Sequence, residues 1–392
     1  MNNWENKTLG DFISLQRGYD LTADERENGD VPVMGAAGEN GFHNKSLAKA
    51  PGIIVGRSGG SFGQVHLVMK DFWPHNTAMF VTDFKGNDPF FVYYLLKKLN
   101  FSQLNSGSAQ PSLNRNYVYP VKIKVPKLEK QKEISSVLLS IDNKIKLNNR
   151  INAELEAMAK TLYDYWFVQF DFPDANGKPY KSSGGKMVYN SILKREIPAG
   201  WAVSNVLKAA NLFGGGTPSK TRSEYWNGNI PFFTPSDSDS NTYSLKTKDY
   251  ITQEGLENSS TRLFAKNTVF ITARGSVGRL ALNALPMAMN QSCYALQAKQ
   301  GISYAYLFFL AKELIHHLEV KASGSVFNSI VSNDIEYTNL AIPVSSEIIE
   351  AYSKVAEPLF EKIETNIKVN AQLEKLRDWL LPMLMNGQVT VK

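Results

Sequence analysis

The stretch ISSVLLSIDNKIKLNNRINAELEAMA, residues Ile134–Ala159, decides how this chain folds. Its apolar residues recur at alternating intervals of four and three, which is the pattern of one face of a coiled-coil helix. The pattern continues on both sides and predicts a long helix between Lys127 and Phe167. The seam consists of Ile134, Leu138, Ile141, Ile145, Asn148, Asn152, Leu155, Ala159, Leu162 and Trp166.

A second seam of the same spacing lies near the C-terminus, and two asparagines occupy the same two positions in both seams. A buried seam asparagine costs stability but fixes the register, because its amide needs a polar partner. We therefore predict an antiparallel pair with Asn148 facing Asn370 and Asn152 facing Asn366. Helices of forty residues would span about 60 Å and hold two domains apart. The second seam consists of Tyr352, Ala356, Leu359, Ile363, Asn366, Asn370, Leu373, Arg377, Leu380 and Leu384.

Two independent amphipathic helices, each packed on its own domain, remain the alternative to this pairing. The long helices are part of an internal repeat of about 217 residues, a period far too long for a solenoid. It indicates a duplicated domain that ends in a helix. The corresponding segments are Gly60–Val65 with Gly275–Leu280, Asn76–Ala78 with Asn290–Ser292, Gly107–Leu113 with Gly324–Ile330 and, more loosely, Thr8–Phe12 with Val206–Ala210.

Each half mixes short apolar runs, glycine-rich turns and one amphipathic helix, which indicates an α+β unit. The predicted class is α+β, with two duplicated domains separated and held by two long antiparallel coiled-coil helices. The predicted segments are a first domain at 1–127, a helix at 128–170, a linker of turns at 171–200, a second domain at 201–345 and a helix at 346–392. Within the domains we predict strands at Gly52–Gly56, Gln64–Met69, Thr268–Thr272 and Leu280–Asn283, and helices at Asp88–Asn100 and Ser303–Val320.

Composition narrows the class of protein. The 392 residues carry a formal net charge of +6, which fits a polyanionic partner without requiring one. Cys293 is the single cysteine, so neither an internal disulfide nor a cysteine-based zinc site is expected, and a reducing cytoplasm is favoured. The polar N-terminus lacks a signal-peptide pattern, and no apolar stretch is long enough to span a membrane, so we expect no membrane partner.

The candidate binding residues lie in glycine-rich hairpins and in the polar loop after each domain's helix. Glycine allows the backbone to approach a ligand closely, and arginine can contact guanine or phosphate. A plain glycine hairpin with a surface arginine, and polar loops that are only solvated, remain the alternatives. The predicted contacts are Arg57, Ser58, Gln110, Asn114 and Arg115 in the first domain, and Arg274, Ser276, Arg279 and Asn328 in the second. The first hairpin is one residue longer than the second, so the residue-by-residue correspondence stays open.

The sequence contains no recognisable catalytic or metal-binding set. The glycine-rich turns match neither a Walker loop nor a dinucleotide fingerprint. His43, His66, His75, His316 and His317 lack metal-ligand spacing. No Asn/Asp-Pro-Pro-Phe/Tyr methyl-transfer motif is present, and Asp171–Asp174 has the wrong order. We therefore expect no catalytic residues, no metal and no cofactor on this chain.

Several motifs, in their order and duplication, resemble one known family. They are Gln131–Ile134, Ile141–Asn149, Ile197–Trp201, Ala273–Gly278 and Asn290-Gln291. Together with the two divergent domains that end in matching helices, they resemble the specificity subunits of type I restriction-modification systems. The resemblance covers essentially the whole chain.

The resemblance implies that each domain is a target recognition domain for one half of an asymmetric, bipartite DNA sequence, and that the helices set the gap between the halves. It implies two methyltransferase subunits that bind S-adenosylmethionine and methylate adenine. It also implies two restriction subunits that use ATP and magnesium in a complex that cuts DNA. The chain itself would be a non-catalytic reader of double-stranded DNA. A self-sufficient DNA enzyme, a protein-interaction scaffold and a stand-alone DNA-binding regulator are the rival interpretations.

Overall fold

The structure is a computed structural model that describes residues 4–106, 111–238, 241–322 and 329–391. The chain divides into two compact units. Unit 1 comprises Met1–Lys146 and Gln372–Lys392, and unit 2 comprises Leu147–Ala371.

Unit 1 begins as a mixed strand and helix domain and continues into the first long helix. Its elements are β1 (Trp4–Thr8), α1 (Leu9–Phe12), β2 (Ser14–Arg17), β3 (Val31–Gly35), β4 (Gly38–His43), β5 (Gly52–Gly56), β6 (Val65–Val68), β7 (Trp73–Pro74), β8 (Ala78–Asp83), α2 (Pro89–Lys98), α3 (Arg115–Val118), β9 (Lys122–Pro126) and α4 (Leu128–Tyr163). Residues of α4 up to Lys146 belong to unit 1, and those from Leu147 belong to unit 2.

The strands of unit 1 form an antiparallel sheet in the order β2-β8-β5-β6, a smaller sheet in the order β4-β3-β7, and a pair, β1 with β9. Strand β5 is buried along its whole length, as its unbroken apolar run predicts. Asp88 is the N-cap of helix α2, and its side chain accepts a hydrogen bond from the backbone N of Phe91 at 2.8 Å. Its buried residues pack with Ile134 and Leu138 of α4 in one core.

Unit 2 contains a second domain and the remaining parts of both long helices. Its elements are β10 (Met187–Asn190), β11 (Arg195–Pro198), β12 (Trp201–Ser204), β13 (Ala210–Gly214), β14 (Trp226–Phe233), β15 (Tyr243–Ser244), β16 (Asp249–Ile251), α5 (Gln253–Glu257), β17 (Val269–Thr272), β18 (Leu280–Asn283), β19 (Ala288–Met289), β20 (Cys293–Ala298), α6 (Tyr304–Lys321), α7 (Ser332–Tyr337), β21 (Leu340–Pro343) and α8 (Glu347–Met385). Residues of α8 up to Ala371 lie in unit 2, and those from Gln372 lie in unit 1.

The strand order of unit 2 repeats that of unit 1. The sheet β13-β20-β17-β18-β15 matches β2-β8-β5-β6 with one strand added at its edge. The sheet β16-β14-β19 matches β4-β3-β7, and the pair β12 with β21 matches β1 with β9. In these last pairs Trp4 lies opposite Pro126 and Trp201 lies opposite Pro343. The duplicated domain predicted from the sequence is therefore present as one topology used twice.

This register moves one predicted correspondence by a residue. Because Trp4 and Trp201 are equivalent, Thr8 corresponds to Asn205, whereas the sequence alignment placed Thr8 with Val206. Both Thr8 and Asn205 cap the short helix that follows, each through a side-chain oxygen. Threonine and asparagine can both cap a helix, so these two positions share a structural role although their residue types differ. The sequence alignment therefore missed their correspondence.

The predicted elements inside the domains are confirmed to within one or two residues. Strands β5 and β18 have the predicted bounds, and helices α2 and α6 begin one residue after their predicted starts. The segment 171–200 differs from its prediction as a linker of turns, since it contains the antiparallel hairpin of β10 and β11. Aromatic packing explains the order of this segment: the ring of Phe172 stacks on Trp201 at 5.7 Å between centroids, and Phe170 meets Trp201 at 5.1 Å.

Within unit 2 the two long helices contact each other through their asparagines. Asn148 donates Nδ2 to Oδ1 of Asn370 at 2.7 Å, and Asn366 donates Nδ2 to Oδ1 of Asn152 at 2.8 Å. Since the partner number falls as the first number rises, α4 and α8 run antiparallel here. At the end of α4 the helix widens into a π-helical turn at Asp164–Val168.

Within unit 1 the same two helices are joined by a charged contact. Arg377 of α8 donates Nη1 to Oδ1 of Asp142 on α4 at 2.8 Å. Tyr94 of α2 donates its hydroxyl to Oδ2 of the same carboxylate at 2.6 Å. Burial, followed by the hydrogen bond to Asp142, raises the pKa of the Tyr94 hydroxyl, so this hydroxyl stays protonated and remains a donor.

Candidate nucleic-acid interface

Unit 1 contains an open, polar cleft at one end of its main sheet. Arg57 directly follows β5, and its carbonyl oxygen accepts a hydrogen bond from the backbone N of Leu113 at 2.9 Å. This bond holds the polar loop before α3 beside the glycine hairpin, as does the bridge between Ser58 and Ser112. The cleft has a volume of about 620 Å³, and its lining includes Arg17, Tyr19, Arg57, Ser112, Asn114 and Arg115.

Basic charge dominates this cleft. Arg17, Arg57 and Arg115 line it, and Asp20 is the acidic residue of the lining. Arg17 lies 3.5 Å from Oδ1 of Asp20. In the part of the chain that the structure describes, neither Arg57 nor Arg115 forms an ion pair. Cations without an internal counter-ion in an open cleft are suited to bind phosphate or the acceptor edge of guanine.

The predicted contacts of unit 1 are thus partly brought together. Arg57, Asn114 and Arg115 share the cleft, and Ser58 lies at its hairpin. Asn114 has a structural task as well, because its side chain accepts a hydrogen bond from the backbone N of Asn116 at 3.0 Å and caps α3. Gln110 lies outside the described residues.

The predicted contacts of unit 2 differ in whether another residue holds their side chains: Arg274 and Arg279 are both exposed, but Arg279 is also hydrogen-bonded. Arg274 is exposed, and its backbone bridges to Ser329. Arg279 instead donates Nη1 to the carbonyl oxygen of Ser238 at 2.9 Å and so ties the hairpin to a neighbouring loop. Ser276 is half-buried, and its carbonyl oxygen accepts a hydrogen bond from the hydroxyl of Thr272. Asn328 lies outside the described residues.

Backbone hydrogen bonds settle which hairpin residues correspond. The backbone N of Leu113 bonds to the oxygen of Arg57, and that of Ile330 bonds to the oxygen of Ala273, each at 2.9 Å. Arg57 N bonds to Thr77 O at 2.9 Å, and Ala273 N bonds to Ser292 O at 2.8 Å. Arg57 therefore corresponds to Ala273, and Ser58 corresponds to Arg274. The additional residue of the longer hairpin lies between Gly59 and Gly63, which match Gly275 and Gly278 in their positive φ angles.

The correspondence shows that the two units present different side chains on one scaffold. Arg17 at the end of strand β2 corresponds to Gly214 at the end of strand β13. The first residue of α3 is Arg115, where the first residue of α7 is Ser332. With Arg57 replaced by Ala273, the three arginine positions of unit 1 are all uncharged in unit 2. The arginine of the second hairpin, Arg274, occupies the place of Ser58.

Sequence reasoning did not single out Arg17 and Tyr19. They belong to the cleft because Gly18 brings the end of β2 against the loop after β7, where an added Cβ would collide with the carbonyl oxygen of His75. Gly215 has the same relation to Asn290 in unit 2. A glycine at the end of the first sheet strand in both halves was the sequence signal that could have found this edge.

Two further observations concern other classes of site. In the residues that the structure describes, no group of three or more His, Cys, Asp or Glu side chains could hold a metal ion. None of the described helices is both long enough and apolar enough to span a membrane.

Comparisons with known proteins identify the family. Residues 1–157 and 198–375 match the model of the type I restriction modification DNA specificity domain. The chain is 28% identical to the type I restriction enzyme MjaIX specificity subunit of Methanocaldococcus jannaschii over 77% of this chain and 69% of that protein. It is 28% identical to the EcoR124I/EcoR124II specificity subunit of Escherichia coli over 79% of this chain and 75% of that protein.

The fold is also similar to a solved structure. The crystal structure of the type I restriction-modification S subunit from M. genitalium aligns with a TM-score of 0.62 and 17% identity, over 97% of this chain and 96% of that one. The chain belongs to the family of type I restriction-modification DNA specificity subunits. Membership confirms the predicted family and the predicted role as a DNA-recognition subunit that does not itself perform the chemistry. It does not favour the stand-alone regulator or the scaffold.

Proposed function

We propose that this chain reads an asymmetric, bipartite DNA target, with one domain for each half, and directs adenine methylation and restriction by partner subunits. The observation that carries the proposal is the repeated scaffold with different side chains at equivalent positions. Arg57 against Ala273 and Ser58 against Arg274 are the clearest examples. One fold with two different surfaces fits two unlike half-sites, because base identity is read by side chains at the groove.

In this proposal the two domains are residues 1–127 and 201–345, and the segment 171–200 joins the two halves. The segments 128–170 and 346–392 contain the long helices, of which the second ends at Met385 and so stops short of its predicted end. The helices form an antiparallel coiled coil that sets the spacing between the half-sites. The asparagine contacts within unit 2 support that pairing, since a buried amide is satisfied only in one register.

The proposed protein partners are two methyltransferase subunits and, in a complex that cuts DNA, two restriction subunits. Apolar side chains left in solvent on α8 support a docking role: Leu376 and Trp379 are 43% and 57% exposed, and their spacing puts them on one face of the helix. Trp379→Glu should abolish co-purification with the methyltransferase subunit, whereas Lys354→Glu, an exposed change about seven turns away on the same helix, should not. Retention of the partner by both variants would contradict docking at this face.

Cofactors are assigned to the partners in the same proposal. This chain would hold none, and S-adenosylmethionine, ATP and magnesium would belong to the methyltransferase and restriction subunits. The reduced state expected for the single cysteine fits work in the cytoplasm.

Salt-dependent DNA binding by the complex with its methyltransferase subunit tests the proposed use of the cleft. Removal of one side chain that binds phosphate should reduce the slope of log affinity against log salt by about 0.9. Arg57→Ala and Arg115→Ala should each weaken binding and flatten this slope or relax one base of the first half-site. Lys124→Ala, an exposed change on β9, is the matched control. Unchanged affinity, slope and specificity in both arginine variants would exclude the cleft as the DNA interface.

A further inference from the structure

Each unit carries one side-chain hydrogen bond at equivalent positions beside its proposed DNA-reading loops. In unit 1, Asn76 donates Nδ2 to Oδ1 of Asp20. In unit 2, Thr217 donates its hydroxyl to Oε1 of Gln291. The positions correspond because Gly18 N bonds to Ala78 O, and Gly215 N bonds to Cys293 O. Counting from these anchors, Asp20 matches Thr217 and Asn76 matches Gln291, which corrects by one residue the sequence alignment of Asn76 with Asn290.

The chemistry of the two bonds differs in one decisive respect. A carboxylate only accepts hydrogen bonds, so the carboxamide of Asn76 has to turn its nitrogen toward Asp20 and its oxygen away. A hydroxyl both donates and accepts, so Thr217 can satisfy Gln291 in either orientation. In the described residues, no hydrogen bond engages Oδ1 of Asn76 or Nε2 of Gln291.

Asp20 has a second partner, although its side chain is 75% exposed. Nη2 of Arg17 lies 3.5 Å from the same Oδ1 that accepts from Asn76, so the carboxylate is bound from two sides. Gly214 stands at the place of Arg17 in unit 2 and supplies no such partner. The hydrogen bond to Asp20 therefore favours one orientation of the amide in unit 1, whereas Thr217 favours neither orientation in unit 2.

We infer that Asp20 is a positioning residue for specificity, which makes Asn76 select a base that carries an exocyclic amino group. This inference rests on the proposed reading of DNA by each unit. With its oxygen outward, Asn76 accepts from N6 of adenine or N4 of cytosine, and its second amide hydrogen remains able to reach N7 of adenine. Guanine and thymine instead present the acceptors O6 and O4 to the outward oxygen of Asn76, and two acceptors cannot form a hydrogen bond, so these bases are rejected. Gln291 turns to suit its base, so the matching position of the second half-site is read less strictly.

The test is a set of methylomes from a host without such systems, in which the chain is expressed with its methyltransferase subunit. The wild type gives the motif. Asp20→Asn lets the amide of Asn76 rotate, so sites with guanine or thymine at one position of the first half-site should gain methylation by about tenfold or more. Asn76→Ala should relax that same position, and Asp24→Asn, an exposed change on the same loop, should leave the motif intact.

The second unit supplies the reciprocal test. Thr217→Asp should fix the amide of Gln291 and narrow one position of the second half-site to adenine or cytosine. The inference is overturned by a motif that Asp20→Asn leaves unchanged, or by relaxation at different positions in Asp20→Asn and Asn76→Ala. Absence of any motif in the wild type would instead contradict the proposed function.

Discussion

Asn148 and Asn370 share a hydrogen bond of 2.7 Å from Nδ2 to Oδ1, and both side chains are buried in unit 2. Asn370 in turn donates its own Nδ2 to Oδ1 of Asn149 at 2.7 Å. Polar groups at these depths are tolerated because each has a partner, and they penalise any register in which the partner is missing.

Replacing Asn370 should therefore destabilise the protein. Asn370→Ala leaves the amide of Asn148 buried without its partner, and we expect the free energy of unfolding to fall by about 1–3 kcal/mol. Urea unfolding followed by circular dichroism measures this change. Lys354→Ala, an exposed substitution on the same helix, is the control and should have little effect. Equal stabilities for the two variants would contradict a paired asparagine at this site.

The hairpin of unit 1 offers a matched pair of glycines. Gly63 has a φ of +74°, and an added Cβ would lie 2.7 Å from Cβ of Phe101, whereas a Cβ at Gly60 meets nothing within 4 Å. Gly63→Ala should lower stability by at least about 1–2 kcal/mol, since a left-handed backbone conformation disfavours a side chain. Gly60→Ala should be nearly neutral. Thermal unfolding of both variants checks this order, and a reversed order would refute the turn geometry.

Acid should weaken unit 2 through Glu364. Burial alone would raise the pKa of this carboxyl, but hydrogen bonds and charge from Lys266 and Lys368 lower it below its ordinary value of 4.5. Because the pKa of Glu364 is lower in the folded state than in the unfolded state, the ionised carboxylate stabilises the folded state above pH 4.5. This stabilisation is lost as the pH falls through the pKa of the folded state. Glu364→Gln should remove this part of the pH dependence in unfolding experiments carried out from about pH 3 to about pH 6, whereas Glu361→Gln, exposed on the same helix, should preserve it. Identical pH profiles for Glu364→Gln and the wild type would count against the ion pairs.

The single cysteine reports on the unfolding of unit 2. Cys293 is buried on β20, and burial, followed by the charge of Asp237, raises the pKa of its thiol to about 12. A thiol that is both inaccessible and protonated reacts slowly, because the thiolate is the nucleophile. We expect an aromatic disulfide reagent at about pH 8 to label the native protein far more slowly than the urea-unfolded chain. Equal labelling rates would show that β20 is not packed as described.

The long helices and the duplicated domain could be predicted from the sequence because their signals are periodic or repeated. The seam containing Asn148 and Asn370 depends on a regular heptad, and strands such as β5 are continuous apolar runs between glycines. The hairpin of β10 and β11 was not predicted, because the many turn-forming residues that follow Asp171 indicated a linker without strands. The aromatic contacts that order the segment, such as Phe172 on Trp201, join residues far apart in the chain.

The candidate site was predictable only in part for a related reason. Arg57 and Arg115 stand out in glycine-rich and polar loops, but Arg17 and Asp20 come from a strand end whose neighbours are set by the fold. Sequence alignment also could not decide whether Arg57 corresponds to Arg274 or to Ala273. That choice depends on backbone hydrogen bonds, which a shorter hairpin conceals.

The measurement that tests the central claim most directly is the methylome of cells that express this chain with its methyltransferase subunit, compared with cells that lack only this chain. The account predicts methylated adenines in a two-part motif whose halves differ in sequence and which disappears when the chain is omitted. A motif with two identical halves, or no new methylation from a complex shown to assemble, would contradict it.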